Sequence, residues 1–122
     1  MKANKTGLAR IFGAFFYSAD GFASAFRNEA AFRQELVLFI VLFPVLYFLP
    51  ISLLFKCLLF SANTMVLIVE LLNSAVESIV DLVSPDYNIY AKRAKDMGSA
   101  AVLLSLLLAA SLWAGALFSL ID

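Results

Sequence analysis

The stretch V-E-L-L-N-S-A-V-E-S-I-V-D (69–81) places four polar side chains within an otherwise apolar part of the chain. Their spacing of i, i+3, i+7 and i+11 puts them in one narrow stripe if the segment is helical. They are Glu70, Asn73, Glu77 and Asp81. Asn63 extends the stripe by one heptad, and most of the intervening residues are apolar or small. A helix of this kind needs a partner for its polar side.

The whole chain is more apolar than a soluble domain. Of its 122 residues, 63% are hydrophobic and only 15% are charged, whereas soluble domains are about 45–50% apolar. The length predicts a single domain, 1–122. The formal net charge is zero, which gives no argument for a nucleic-acid partner. We therefore expect a small integral membrane protein that does not bind nucleic acid.

Cysteine and histidine usage excludes two kinds of site. Cys57 is the only cysteine and the chain has no histidine, so an intrachain disulfide and a Cys/His zinc site are both impossible. Residues 1–28 carry scattered charges and lack a continuous apolar run, so no cleavable signal peptide is expected.

The predicted fold is an all-α membrane protein with an N-terminal amphipathic interfacial helix and three transmembrane helices. In residues 1–28 the apolar side chains recur at helical spacing, with Arg10 and Tyr17 on another face, as is typical of a helix lying in the membrane interface. Asn28 is expected to cap the first spanning helix, with Glu29 in its first turn. The predicted spans are residues 29–49, 53–83 and 91–121.

Basic residues flank these spans unevenly. They precede or begin the first span and lie between the second and third, whereas only Lys56 lies near the opposite side. The positive-inside rule therefore places the N-terminus and the 84–96 loop in the cytoplasm and the C-terminus outside. The residues that carry this asymmetry are Lys2, Lys5, Arg10, Arg27, Arg33, Lys92, Arg93 and Lys95.

Carboxylates within a membrane segment are costly, so Glu70 is a candidate functional residue. Glu29 begins the first span, and Glu77 is expected at a similar depth. Two carboxylates at that depth are suited to Mg²⁺, a hard cation that takes oxygen ligands and often bridges phosphates. The basic cluster at 92–96 lies on the same side and could meet a phosphate. Asp81 is expected to be a solvated or structural carboxylate.

Two classes of function fit these residues. One is an enzyme that acts on a lipid at the cytoplasmic interface, with Glu70 as a buried base. The other is a small transporter in which Glu70 exchanges protons or binds a cationic substrate. The chain has no Walker-type P-loop and no soluble-kinase signature. The residues alone therefore leave both classes open.

Three blocks of sequence closely resemble the prokaryotic integral-membrane diacylglycerol kinases. They are N-E-A-A-F-R-Q-E (28–35), the stretch 69–81 and R-A-K-D-M-G-S-A-A-V (93–102), and the likeness extends to G-L-A-R-I (7–11). The resemblance implies transfer of the ATP γ-phosphoryl group to the primary hydroxyl of diacylglycerol, which gives phosphatidic acid. It also implies homotrimers with shared active sites in the bacterial inner membrane. A related branch phosphorylates undecaprenol, but the first and third blocks look more like the diacylglycerol branch.

The resemblance also implies roles for individual residues. Glu70 would be the general base, and Asn73 would orient it. Glu29 and Glu77 would bind Mg²⁺ beside the nucleotide phosphates. The implied ATP-binding residues are Arg10, Tyr17, Glu29, Glu77, Asp86, Tyr87, Asn88, Lys95 and Asp96. The implied lipid-substrate residues are Arg10, Ala31, Gln34, Glu35, Phe48, Lys56, Glu70, Ser99 and Trp113.

Overall fold

A computed structural model describes residues 6–121, and the regular structure in that range is entirely α-helical. The expected all-α fold with four helices is thereby confirmed. The helices are α1 (Gly7–Asn28), α2 (Ala30–Phe48), α3 (Leu53–Val83) and α4 (Ile89–Phe118). Lys2 and Lys5, which contribute to the expected orientation, lie outside the described residues, as does the beginning of the predicted surface helix.

Side-chain caps begin the two longest helices. The Oγ of Ser52 accepts a hydrogen bond of 3.2 Å from the backbone N of Phe55 at the start of α3. The Oδ1 of Asn88 accepts from the backbone N of Tyr90 at 2.8 Å and from that of Ala91 at 3.3 Å at the start of α4. Each oxygen satisfies N–H groups that the first helical turn leaves without a partner.

The expectation that Asn28 caps the first spanning helix is wrong. Asn28 is the last residue of α1, and the extended backbone of Glu29 separates it from α2. The Nδ2 of Asn28 instead donates a hydrogen bond of 2.9 Å to the carbonyl oxygen of Ser24. The Asn28 side chain is thus bonded within α1 and does not cap the start of α2.

Two helices, α2 and α4, are long and apolar enough to cross a membrane, with mean hydropathies of 1.7 and 2.2. Their outer surfaces are apolar, and Leu104, for example, is 68% exposed. Helix α3 has 31 residues, so it is about 46 Å long and exceeds the roughly 30 Å hydrocarbon core of a bilayer. Its role as a third span remains a prediction.

Helix α3 is the central element, since it packs most extensively against α4 and also against α2. An apolar cluster of Leu46, Leu59 and Ala116 lies where α2 turns into α3, with Phe55 and Leu112 packed around it. Four buried residues of the described chain are polar or charged. They are Glu70, Asn73, Ser74 and Ser105.

Candidate functional site

The polar stripe of α3 passes from buried to exposed along the helix. Glu70 is 5% exposed and Asn73 is 9% exposed, whereas Asp81 is exposed. Glu77 lies between these extremes. Burying an ionised carboxylate is costly without a compensating partner, so the surroundings of Glu70 are the first feature of the site to consider.

Other carboxyl groups surround Glu70. Glu35 on α2 lies close enough to share a hydrogen bond with it if one of the two carries a proton. Glu77 and Glu29 are both near enough to interact with Glu70 electrostatically. The Oε2 of Glu35 is buried, and no donor in the described chain reaches it. The site therefore gathers acidic groups from α2, from α3 and from the junction between α1 and α2.

Asn73 fixes the distance between α3 and α4. A Cβ atom built at Gly98 would overlap the Oδ1 of Asn73 and lie 3.3 Å from its Cγ. The absence of a side chain at Gly98 therefore permits the close contact between the two helices at this position. The Nδ2 of Asn73 donates to the Oε1 of Glu77 at 3.4 Å, and its Oδ1 is buried with no donor from residues 6–121. The described hydrogen bond of Asn73 is thus to Glu77, which lies one turn beyond Asn73 and about two turns beyond Glu70.

An apolar cavity of about 380 Å³ lies between α2, α3 and α4. Its polar members are Glu35 and Asn63, and Trp113 borders it as well. The Nε1 of Trp113 donates a hydrogen bond of 3.0 Å to the Oδ1 of Asn63. The fold thus brings Glu35 and Trp113, two of the expected lipid-substrate residues, to one cavity. Its apolar lining is formed by Leu38, Phe39, Leu42, Val66, Leu106, Ala109 and Ala110.

A second cavity, of about 520 Å³, lies between α1 and α3 and is called here the serine groove. Glu29 borders it together with four serine residues. The serines are Ser18, Ser24, Ser74 and Ser78. The groove is therefore suited to hydrogen-bonding a polar ligand, in contrast to the apolar cavity beside Glu35.

A third cavity, of about 290 Å³, lies at the junction of α3 and α4 and brings five of the expected ATP-binding residues together. They are Asp86, Tyr87, Asn88, Lys95 and Asp96. The Nζ of Lys95 lies 2.6 Å from the Oδ1 of Asp81, and the Nζ of Lys92 lies 2.6 Å from the Oδ2 of Asp96. Asp81 is thus an exposed carboxylate held in an ion pair.

The donor set around Glu29 and Glu77 fits Mg²⁺ in its chemistry. Both are carboxylates, and a hard cation prefers oxygen ligands and commonly completes its shell with phosphate oxygens and water. Within residues 6–121, no group of three or more histidine, cysteine, aspartate or glutamate side chains is arranged to hold a metal ion. A cation bound by these two carboxylates would therefore need further oxygen ligands from water or from the phosphate groups of a bound molecule.

The remaining expected site residues lie on other parts of the helices. Arg10 and Tyr17 lie on α1, seven residues and therefore about two turns apart. Ala31 and Gln34 are exposed near the start of α2, and Ser99 is exposed on α4. These five residues line no cavity described above.

Phe48 is the last residue of α2 and Lys56 lies in the first turn of α3, so both lie near the junction of these helices and away from the acidic groups. The Nζ of Lys56 donates a hydrogen bond of 2.7 Å to the carbonyl oxygen of Tyr47. Lys56 precedes Glu70 by 14 residues of continuous helix, a distance of about 21 Å along the axis. Only a long ligand could contact both ends.

Two residues that the structure brings into the site had no assigned role in the sequence. Ser74 is buried beside the serine groove, and Asn63 is the partner of Trp113. Asn63 has a signal in its spacing, since it lies seven residues before Glu70 on the same face. Ser74 also lies near Glu70 in spacing, four residues later, but serine is common on both buried and exposed helix faces, so this spacing alone does not indicate a role.

The sequence matches known proteins over most of its length. The family model for prokaryotic diacylglycerol kinase matches residues 16–117. A diacylglycerol kinase of Pseudomonas aeruginosa is 48% identical over 110 residues, which cover 90% of this chain and 89% of the relative. The diacylglycerol kinase of Escherichia coli strain K12 is 43% identical over 119 residues, 98% of each chain. That of Haemophilus influenzae is 41% identical over 113 residues, 93% of this chain and 96% of the relative.

Proposed function

This chain belongs to the prokaryotic diacylglycerol kinase family and is a kinase of that family, and from this premise we propose that it phosphorylates diacylglycerol with Mg-ATP. The γ-phosphoryl group passes to the primary hydroxyl of the lipid and gives phosphatidic acid. One observation carries the proposal: the buried Glu70 neighbours Glu35, which borders an apolar cavity, and Glu29, which borders a polar groove. A lipid and a nucleotide can thus approach one carboxylate from different sides.

In this proposal Glu70 is the general base. A base has to be within hydrogen-bond reach of the hydroxyl that it deprotonates, and the hydroxyl of diacylglycerol is held at membrane depth by its acyl chains. The apolar cavity offers those chains a binding surface that ends at Glu35, the neighbour of Glu70. Glu35 lies beside Glu70 at the end of this cavity, so the two carboxyl groups border the place where the lipid hydroxyl would lie.

Glu29 and Glu77 are the proposed ligands of Mg²⁺. An ion held by these two carboxylates would offset the charge of the nucleotide phosphates. The hydrogen bond from Asn73 to Glu77 directs one carboxylate oxygen of Glu77 and leaves the second free for a ligand. Asn73 is thus a positioning residue in this proposal, acting through Glu77 as well as on the surroundings of Glu70.

The cavity at the junction of α3 and α4 is the proposed binding site for part of ATP. Lys95 is held there by Asp81, and nucleotide phosphates are a stronger anionic partner than a single exposed carboxylate. Tyr87 is 80% exposed and provides an aromatic surface. Arg10 and Tyr17 of α1 are proposed to complete the nucleotide site.

The proposed assembly is a homotrimer with shared active sites in the bacterial inner membrane. Much of the large apolar surface of α2 and α4 is exposed in the single chain, and such surface has to be covered by lipid or by another subunit. The proposed topology has the N-terminus and the 84–96 loop in the cytoplasm and the C-terminus in the periplasm.

Labelled ATP tests the proposed reaction. The purified chain in mixed micelles, supplied with γ-labelled ATP and Mg²⁺, is expected to transfer the label to diacylglycerol. Undecaprenol in a parallel reaction tests the alternative acceptor. Label in undecaprenol alone would overturn the proposed substrate but keep the kinase. Label in neither lipid, with proton-coupled uptake in vesicles, would overturn the reaction and favour the transporter.

A further inference from the structure

Ser74 differs from the other serine and threonine residues within the apolar helices. Its side chain is 7% exposed, and its Oγ is buried without a hydrogen-bond partner among the described residues. Helical serine and threonine commonly donate to the carbonyl three or four residues earlier. Four residues of α3 and α4 do so, at 2.7–2.8 Å: Ser61, Thr64, Ser105 and Ser111.

The position of Ser74 connects the proposed base with the serine groove. Ser74 follows Glu70 by four residues, so the two side chains are neighbours on one face of α3. Ser74 also borders the groove, and Glu29 lines the same groove. Ser74 is thus a neighbour of the proposed base and borders the same cavity as a proposed Mg²⁺ ligand.

A buried hydroxyl without a partner destabilises a fold, because its hydrogen bonds to water are lost and not replaced. Native structures contain few such groups, and each one requires an explanation. A ligand that enters the groove can provide the missing partner. Rotation about the Cα–Cβ bond can turn the Oγ towards that ligand, and no hydrogen bond within the protein has to break first.

We propose that Ser74 is a catalytic residue whose hydroxyl donates a hydrogen bond to a non-bridging oxygen of the phosphoryl group during transfer. This inference rests on the proposed function. In the step, the lipid hydroxyl loses its proton to the Glu70 carboxylate, and its oxygen forms a bond to the γ-phosphorus. The bond between that phosphorus and the bridging oxygen breaks, and its electron pair leaves with ADP. Ser74 keeps its own proton throughout.

This role differs from those of the acidic residues nearby. In the proposed reaction Glu70 accepts a proton, and Glu29 and Glu77 bind Mg²⁺ through their oxygens, so none of the three is available to donate to a phosphoryl oxygen. A neutral donor placed before the reaction stabilises the charge on the phosphoryl oxygens without reorganisation. Ser74 is the buried hydroxyl that lies beside both the base and the groove.

The test compares Ser74→Ala and Ser74→Thr with a matched control, Ser61→Ala. Ser61 lies on the same helix, but it is exposed and its hydroxyl is already bonded to the carbonyl of Cys57. For each full-length protein in mixed micelles, kcat, the KM for ATP and the midpoint of thermal unfolding are measured with diacylglycerol as acceptor.

The expected result separates catalysis from structure. Ser74→Ala should lower kcat by about ten- to a hundredfold, the usual effect of losing one hydrogen bond to a charged group. The KM for ATP should change little. The midpoint should not fall, because the alanine removes a buried group without a partner. Ser74→Thr keeps a hydroxyl and should regain most of kcat, and Ser61→Ala should behave as wild type.

Two results with an active wild-type protein would overturn this role. The first is an unchanged kcat in Ser74→Ala. The second is a fall in kcat accompanied by a lower midpoint, which would assign Ser74 a structural role. A wild-type protein that transfers no label would overturn the proposed function itself, and the role of Ser74 with it.

Discussion

The indole Nε1 of Trp113 donates a 3.0 Å hydrogen bond to the Oδ1 of Asn63, and this contact joins α4 to α3 beside the apolar cavity. Both side chains are partly buried. In an apolar environment neither polar group has ready access to water as an alternative partner. The contact therefore helps to fix how the two helices pack at the cavity.

A double-mutant cycle of Trp113→Phe and Asn63→Leu should reveal this contact. Trp113→Phe leaves the Oδ1 of Asn63 without its donor, and Asn63→Leu leaves the indole N–H without its acceptor. The coupling free energy is expected to be about 1 kcal/mol, as for polar contacts between membrane helices. Unfolding in mixed micelles measures it, and single-mutant effects that simply add would contradict the contact.

Gly98→Ala should damage both the fold and the site. The added Cβ would overlap the Oδ1 of Asn73, so α4 or the Asn73 side chain has to move, at a cost of about 1–3 kcal/mol in the free energy of unfolding. Gly115→Ala is the matched control, because a Cβ there meets nothing within 4 Å. It should leave stability unchanged or raise it by up to about 1 kcal/mol. Equal stability of the two variants would contradict the close approach.

Glu70→Gln should abolish most phosphoryl transfer and leave nucleotide binding intact. The amide has a similar shape but cannot accept the proton of the lipid hydroxyl, and general bases typically contribute about 10²–10⁴-fold to the rate. Turnover and the stabilisation of the protein by Mg-ATP are measured in parallel. Asp20→Asn, at an exposed position of α1, controls for loss of one negative charge. Near-normal turnover in Glu70→Gln would refute the base assignment.

Glu77→Gln should raise the Mg²⁺ concentration needed for half-maximal activity by about tenfold or more, because an amide oxygen is a weaker ligand than a carboxylate. The substitution keeps an oxygen that can accept the hydrogen bond from Asn73, so the positions of the helices should be retained. The measurement is a Mg²⁺ titration at saturating ATP. A titration curve that matches the wild-type curve would exclude Glu77 as a ligand.

The helices could be predicted from the sequence, because helical periodicity and caps are local properties. The spacing of Glu70 and Glu77 predicts one face of a helix, and both lie on α3. The prediction that Asn28 caps α2 is wrong because it concerns the boundary between two helices. Asn28 could either end α1 or cap the start of α2, and the local sequence pattern does not determine which of these positions it takes.

The buried Glu70 and the exposed Asp81 agree with the expectations from the sequence, but the contacts made by the polar stripe could not be predicted in the same way. They depend on how α4 packs against α3, and Gly98 permits that packing because it leaves room for the side chain of Asn73. The burial of the Ser74 hydroxyl without a partner likewise depends on how the helices pack together. The parts of the site that residue spacing does not predict therefore depend on contacts between residues that are distant in sequence.

The hydroxyl of Ser74, which is buried without a hydrogen-bond partner among residues 6–121, has a consequence for how the protein can change over generations. Replacement by alanine would remove this buried polar atom and should leave the chain without ligand at least as stable. Selection for stability alone would therefore favour loss of the hydroxyl, whereas selection for turnover would keep it. A variant selected only for heat resistance is expected to become a better-folded and slower enzyme, and Ser74 is where that exchange would begin.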